Sequence, residues 1–205
     1  INKDDIIFLL TNSTSGLGYF DNFGKTQYLG IDINASKSWG AWQLNTIYSY
    51  IKATYESSGE LPGAIDATTD KAREMDITPG TRMAGIPLHK LKMHLDWSAT
   101  EKWKLGTSMI VSSSIVTQGN EDGNIYEGVS GNAKVKGYAL FNLKTSYAVQ
   151  KGFEVFGKID NVFNRRYETY AMMAENNLYS DEQTLSKFVA PGATRTYMAG
   201  LRLKF

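Results

Sequence analysis

Along this chain hydrophobic and polar residues alternate with a period of two, in one segment after another. From 195 to 205 the odd positions are Arg195, Tyr197, Ala199, Leu201, Leu203 and Phe205, and the even ones Thr196, Met198, Gly200, Arg202 and Lys204. Successive side chains of a strand point to opposite faces, so this pattern predicts a strand with one apolar and one polar face; a helix would scatter the same residues around its circumference. Between 87 and 99 the same reading puts His89, Leu91, Met93, Leu95 and Trp97 on one side and Lys90, Lys92, His94, Asp96 and Ser98 on the other. Eight such segments are predicted, at about 4–12, 26–37, 42–55, 87–99, 103–117, 136–149, 153–163 and 195–205. Ile110 and Val116 fall on the polar parity of their segment, as do Leu140 and Phe156 on theirs. The segment 103–117 is therefore the least regular strand.

The connections alternate too. Short turns are expected at 38–41, 100–102 and 150–152, and long stretches rich in Gly, Asn, Asp, Glu and Ser at 56–86, 118–135 and 164–194. Short turns at one end and long loops at the other describe an up-and-down outer-membrane barrel. The aromatic residues follow the same polarity. Trp39 and Trp42 flank the first short turn, Trp97 and Trp103 the second, Tyr147 and Phe153 the third, while Tyr48, Tyr50 and Tyr197 lie toward the other ends. Rings with a polar edge favour the membrane interface, so two girdles are expected.

Composition narrows the alternatives. Of 205 residues, 42% are hydrophobic and 21% charged, which suits a folded chain. The 22 Lys and Arg against 21 Asp and Glu leave a net charge of +1, too little to draw the chain to nucleic acid. No apolar run approaches the roughly 20 residues of a membrane-spanning helix, but alternation hides a spanning strand from such a search. There is no cysteine, hence no disulfide, thiolate metal site or thiol nucleophile. His89 and His94 are five apart and would face opposite sides of a strand, so they cannot share one metal ion. No Ser/His/acid order or phosphate loop stands out, so neither an enzyme nor a bound cofactor or metal is expected. The first residue is Ile rather than Met, which suggests a processed or truncated product.

Three stretches carry motifs. The first is Asp21-Asn22-Phe23-Gly24-Lys25-Thr26-Gln27-Tyr28-Leu29-Gly30-Ile31-Asp32, with Tyr48-Ser49-Tyr50 and Ala53 in the next strand. The second is Gly85-Ile86-Pro87-Leu88-His89. The third is Asp160-Asn161-Val162-Phe163-Asn164-Arg165-Arg166-Tyr167, followed by Pro191-Gly192 and the terminal strand to Phe205. Singly, each could be ordinary turn chemistry, as for Asn161, Asn164 and Pro191-Gly192. In their order and spacing over the whole chain they resemble the C-terminal part of TonB-dependent outer-membrane receptors.

The resemblance implies an all-β, antiparallel, up-and-down transmembrane barrel of which residues 1–205 supply about eight C-terminal strands, the plug and N-terminal strands being absent. It implies a multi-pass protein in the outer membrane of a Gram-negative bacterium, in a transporter importing a ferric siderophore or a similar small solute. The implied partners are the TonB energy-coupling complex, reached through the missing N-terminal part, the barrel-assembly machinery and outer-membrane lipid. Lys90, Lys92, His94, Asp96, Lys104, Glu154, Lys158, Asp160, Arg202 and Lys204 would face the lumen, where water or a plug can solvate their charge. Phe205, with Leu203, Leu201 and Tyr197 at alternating positions, resembles the signal read by the assembly machinery. In the long loops Arg73, Arg82, Tyr170 and Tyr179 are the candidates for contact with an anionic, aromatic iron chelate. Two other readings remain open: a self-contained eight-stranded outer-membrane barrel acting as adhesin or anchor, and a soluble β-barrel with its apolar residues inward.

Overall fold

A computed structural model describes residues 2–3, 7–11, 18–22, 24–66, 71–123, 134–176 and 184–204. They hold sixteen strands and no helix: β1 (Asn2–Lys3), β2 (Ile7–Thr11), β3 (Gly18–Asn22), β4 (Thr26–Trp39), β5 (Trp42–Tyr55), β6 (Gly59–Asp66), β7 (Lys71–Ile77), β8 (His89–Ser98), β9 (Trp103–Ser112), β10 (Ile115–Val116), β11 (Lys134–Val135), β12 (Tyr138–Gln150), β13 (Phe153–Asp160), β14 (Glu168–Asn176), β15 (Thr184–Pro191) and β16 (Thr196–Leu203). Eight of them form one antiparallel sheet in the order β1-β4-β5-β8-β9-β12-β13-β16. Among the described residues β16 pairs only with β13 and β1 only with β4, so this sheet is open rather than closed into a small barrel.

The register carries the alternation of each strand across the whole sheet. Trp39 pairs with Trp42, Trp42 with Trp97, Trp97 with Leu105, Leu105 with Thr145, Thr145 with Gly157 and Gly157 with Ala199. All of these residues therefore share one face, together with Leu29, Ile31 and Ile33 of β4, Met93 and Leu95 of β8, Leu143 of β12 and Leu201 of β16. Among the described residues nothing covers that face: Ile31 is 60% and Leu201 66% exposed. The opposite face carries Lys90, Lys92, His94, Asp96, Lys104, Lys144, Glu154, Lys158, Asp160 and Arg202. Lys204 lies one residue beyond β16, where its N–H donates to the Gly152 carbonyl at 2.8 Å.

Several polar-face charges are paired. Lys144 meets Asp96 at 2.8 Å although β9 runs between their strands. That contact passes over Gly106, where a side chain would collide with both groups. Arg202 meets Glu154 at 2.7 Å and lies over the ring of Phe156, and Lys158 meets Asp160 at 2.8 Å.

The short turns fall where expected, with Gly40 and Gly152 at φ +52° and +80°, a left-handed backbone that glycine adopts without steric cost. Three expectations need correction. Of the strand expected at 4–12, the described residues Ile7–Thr11 are not part of the wall. Only Asn2–Lys3 join the sheet, while Ile7–Thr11 form a hairpin with Gly18–Asn22. The segment 103–117 ends at Ser112, where its register with both neighbours runs out, and Ile115–Val116 turn aside to pair with Lys134–Val135. Val116, out of parity for a wall strand, is in fact buried among the loops. Ile110 and Leu140 do lie on the polar face, and there they are a directly paired couple near the loop end.

The long connections, expected as polar loops, are partly folded, and together with the adjoining ends of β4 and β5 they hold the best-buried of the described residues. β6 and β7 form one hairpin and β14 and β15 another. Tyr55, Leu61, Met75 and Ile77 pack as one cluster with Met83 against it, and Ile115, Val135 and Ala171 as a second. Backbone hydrogen bonds tie the pieces together. Gly85 N–H donates to the Val116 carbonyl at 3.0 Å, Gln118 N–H to Ala171 at 3.1 Å, and Met173 N–H to Gln118 at 2.8 Å.

Candidate functional site

The loop end of the sheet is where the chain gathers side chains suited to recognition, and its geometry rests on the three stretches singled out in the sequence. At the first, Gly24 takes φ +41° against the side chain of Ser57, whose hydroxyl accepts from Lys25 N–H at 2.9 Å. At the second, the Leu88 carbonyl accepts from Ile51 N–H at 3.0 Å, and His89 opens β8. The His89 ring lies on the apolar face beside Tyr48, with 2.9 Å between Nδ1 and the hydroxyl, and beside Tyr50, with ring centres 5.2 Å apart. Imidazole and phenols thus form a belt of polar-edged rings opposite the tryptophans of the short-turn end, where Trp42 and Trp97 stack at 5.1 Å.

The third stretch is a fastening. Asn161 is buried with φ +51°. Its side-chain amide donates to the carbonyls of Arg165 at 2.9 Å and Ala193 at 3.1 Å, and its oxygen accepts from Arg165 N–H at 2.8 Å. The two ends of the loop from β13 to β16 are thereby closed on one residue. Asn164 adds a bond from Arg195 N–H at 3.0 Å, and Gly192 N–H donates to Tyr167, whose ring covers the glycine. Asn161 and Asn164 are therefore more than generic turn formers.

Of the recognition candidates, Arg82 sits beside the top of β5, with Thr54 as its bridge partner and its guanidinium 3.4 Å from the Ile86 carbonyl. Tyr170, on β14, places its ring against Gly85 in the same connection. The structure thus brings the 82–86 segment to Tyr170. Arg73 lies on β7, but its side chain is outside the described residues, as are Tyr179 and Phe205. Lys90, Lys92, His94, Asp96, Lys158 and Arg202 share the polar face, and Tyr197 and Leu201 the apolar one together with Leu203.

Sequence reasoning missed Glu121. It is half-buried in the connection after β10, and its carboxylate accepts from Gly119 N–H at 2.8 Å. Burial pushes its carboxyl above the usual range, a shift that the backbone hydrogen bonds oppose and the charge of Asp122 reinforces. Partial burial likewise raises the Tyr170 hydroxyl, with the negative charge of Glu121 as a further cause. A carboxyl whose folded pKa is raised binds protons more readily in the native state, so its cost to stability grows as pH rises from its unfolded value through its folded one. Glu121→Gln should therefore slow amide exchange in 115–123 at neutral pH, with the difference from wild type vanishing below about pH 4. Hydrogen exchange against pH checks this, and a pH-independent difference would contradict it.

A sequence profile for TonB dependent receptor-like β-barrels matches residues 1–162. The chain belongs to this family. Of the strands beyond the matched region, β16 continues the same sheet, while β14 and β15 pair with each other. Solved structures share the fold. The siderophore receptor PiuA from Acinetobacter baumannii is 14% identical with a TM-score of 0.72, over 100% of this chain and 25% of that one. The closed form of the ferric-catecholate import receptor Fiu from E. coli K12 is 18% identical with a TM-score of 0.64, over 100% and 24%. The ferric yersiniabactin uptake receptor FyuA from Yersinia pestis is 14% identical with a TM-score of 0.63, over 91% and 25%. The chain spans about a quarter of the length of these receptors.

Proposed function

We propose that this chain is part of the wall and extracellular loops of an energised outer-membrane transporter that imports a scarce solute, a ferric siderophore. The observation that carries this reading is the sidedness of the sheet. One face is apolar and uncovered across all the long strands, the other holds cross-strand ion pairs, and folded hairpins gather at one end only. In water so extensive an apolar face would aggregate; in lipid it is solvated, and the charged face then lines the lumen. The soluble-barrel alternative requires the reverse facing. The unpaired edges call for further strands, because backbone groups without partners in hydrocarbon cost several kcal/mol each. The remaining wall strands, the plug and the segment that engages TonB belong, in this reading, to the rest of the protein, with outer-membrane lipid outside and the assembly machinery as a transient partner.

Arg82 and Tyr170 would present a cation and a ring to an anionic ferric chelate. In the complete receptor, Arg82→Ala with Tyr170→Ala should weaken binding of a ferric catecholate at least about tenfold, since a charge-assisted contact and a ring contact are both lost. Unchanged affinity, with the barrel folded, would remove these residues from the site. Replacing Phe205 by Asp should lower the amount of heat-modifiable, membrane-inserted protein more than the Arg82 substitution does; equal amounts would end its role as an assembly signal.

A further inference from the structure

Between the start of β12 and the hairpin β14–β15 lies a cavity of about 580 Å³, within the size range of small-molecule sites. Its wall carries Lys134, Lys136, Arg165, Arg166 and Lys187 against one carboxylate, Glu168. Glu168 is already engaged by Lys187, whose Nζ is 3.1 Å from Oε2. Lys136, Arg165 and Arg166 make no ion pair among the described residues. Lys134, Lys136, Arg165 and Arg166 are exposed to solvent at the cavity mouth, and the turn that carries the two arginines is held by folded structure. Asn161 binds both the N–H and the carbonyl of Arg165, and Tyr167, two residues on, lies over Gly192 with its ring centre 4.6 Å from that of Tyr138.

Like charges gathered around one cavity repel, and an anion seated between them relieves that repulsion. Guanidinium groups bind the paired oxygens of phosphates and carboxylates through two parallel hydrogen bonds, while Val189 and Pro191 offer apolar contact to an organic body. We propose that this cavity binds a small polyanion bearing two or more phosphate or carboxylate groups. It is a different place from Arg82 and Tyr170, and it does not depend on which solute is transported.

Pyrophosphate and citrate serve as probes, titrated calorimetrically into the complete protein in detergent. Saturable binding of at least one is expected, weakened about tenfold or more by Arg166→Gln and by Lys136→Gln, each of which removes a charge-assisted contact. Lys102→Gln, in a short turn at the opposite end of the sheet, should leave it unchanged. A measurement without variants accompanies this: the bound probe should slow phenylglyoxal modification of Arg165 and Arg166 in the wild-type protein. Repeating the titration in phosphatidylcholine nanodiscs, alone and with added cardiolipin, whose headgroup carries two phosphates, separates the natural sources. Competition by cardiolipin assigns the site to a lipid headgroup, and undiminished binding assigns it to a soluble polyanion. The proposal fails if neither probe binds, or if both cavity variants bind as wild type and the arginines are unprotected.

Discussion

Met93→Arg should destabilise the barrel by about 2–4 kcal/mol when it is refolded into liposomes, whereas Lys92→Arg should be neutral. The two residues are adjacent on β8 and differ in the face they occupy. Met93 lies midway between Trp97 at the short-turn end and His89, with its neighbouring tyrosines, at the loop end. Eight residues of strand span roughly 27 Å, which at a tilt of about 40° stands close to the height of the apolar band. The centre of that band is therefore Met93, and Leu95, one residue pair from the tryptophan belt, should tolerate Arg better. Denaturant titration in lipid measures all three. Equal cost at Met93 and Lys92 would mean that the apolar face does not meet lipid, and the membrane reading would go with it.

The second large effect is expected at Asn161. Asn161→Ala removes three side-chain hydrogen bonds and strands the Arg165 N–H and two carbonyls, at a cost of about 2–4 kcal/mol. The positive φ adds a smaller penalty that Asn tolerates better than Ala. Asn161→Gly separates the two causes, because it accepts the backbone conformation but restores no hydrogen bond. Both variants should therefore unfold at similarly reduced temperature and expose the 164–194 connection to protease. Wild-type resistance in Asn161→Gly would show that backbone conformation, not the amide, is what Asn161 contributes. In either variant the cavity beside Arg165 should lose its ligand before the wall strands separate, since the fastening and the cations share that turn.

The wall of this receptor segment was legible in the sequence because what specifies it is local. A strand's facing is decided by the residues one and two positions away, so parity alone placed Leu91, Met93 and Leu95 on one side and Lys90, Lys92 and Asp96 on the other. The short turns were legible for the same reason, and so was the row of tryptophans around them. The resemblance placed the family. What lies beyond the wall was not legible, because it depends on partners far away in the chain. Residues 7–11 are apolar enough for a strand but run Ile-Phe-Leu-Leu-Thr without alternation, and only pairing with Gly18–Asn22 makes them a hairpin. Ala171 becomes wholly buried because Ile115 and Val135 close over it, and Tyr55 because Met75 and Ile77 do, contacts no period along the sequence encodes. Asn161 looked like a turn former because its two carbonyl partners, at 165 and 193, are neighbours only after the last loop has folded. The cationic cavity likewise draws Lys136, Arg165 and Lys187 from three separate stretches. Alternation determines which face a residue occupies; which loops meet above that face is set by long-range packing, and only the tertiary structure decided it.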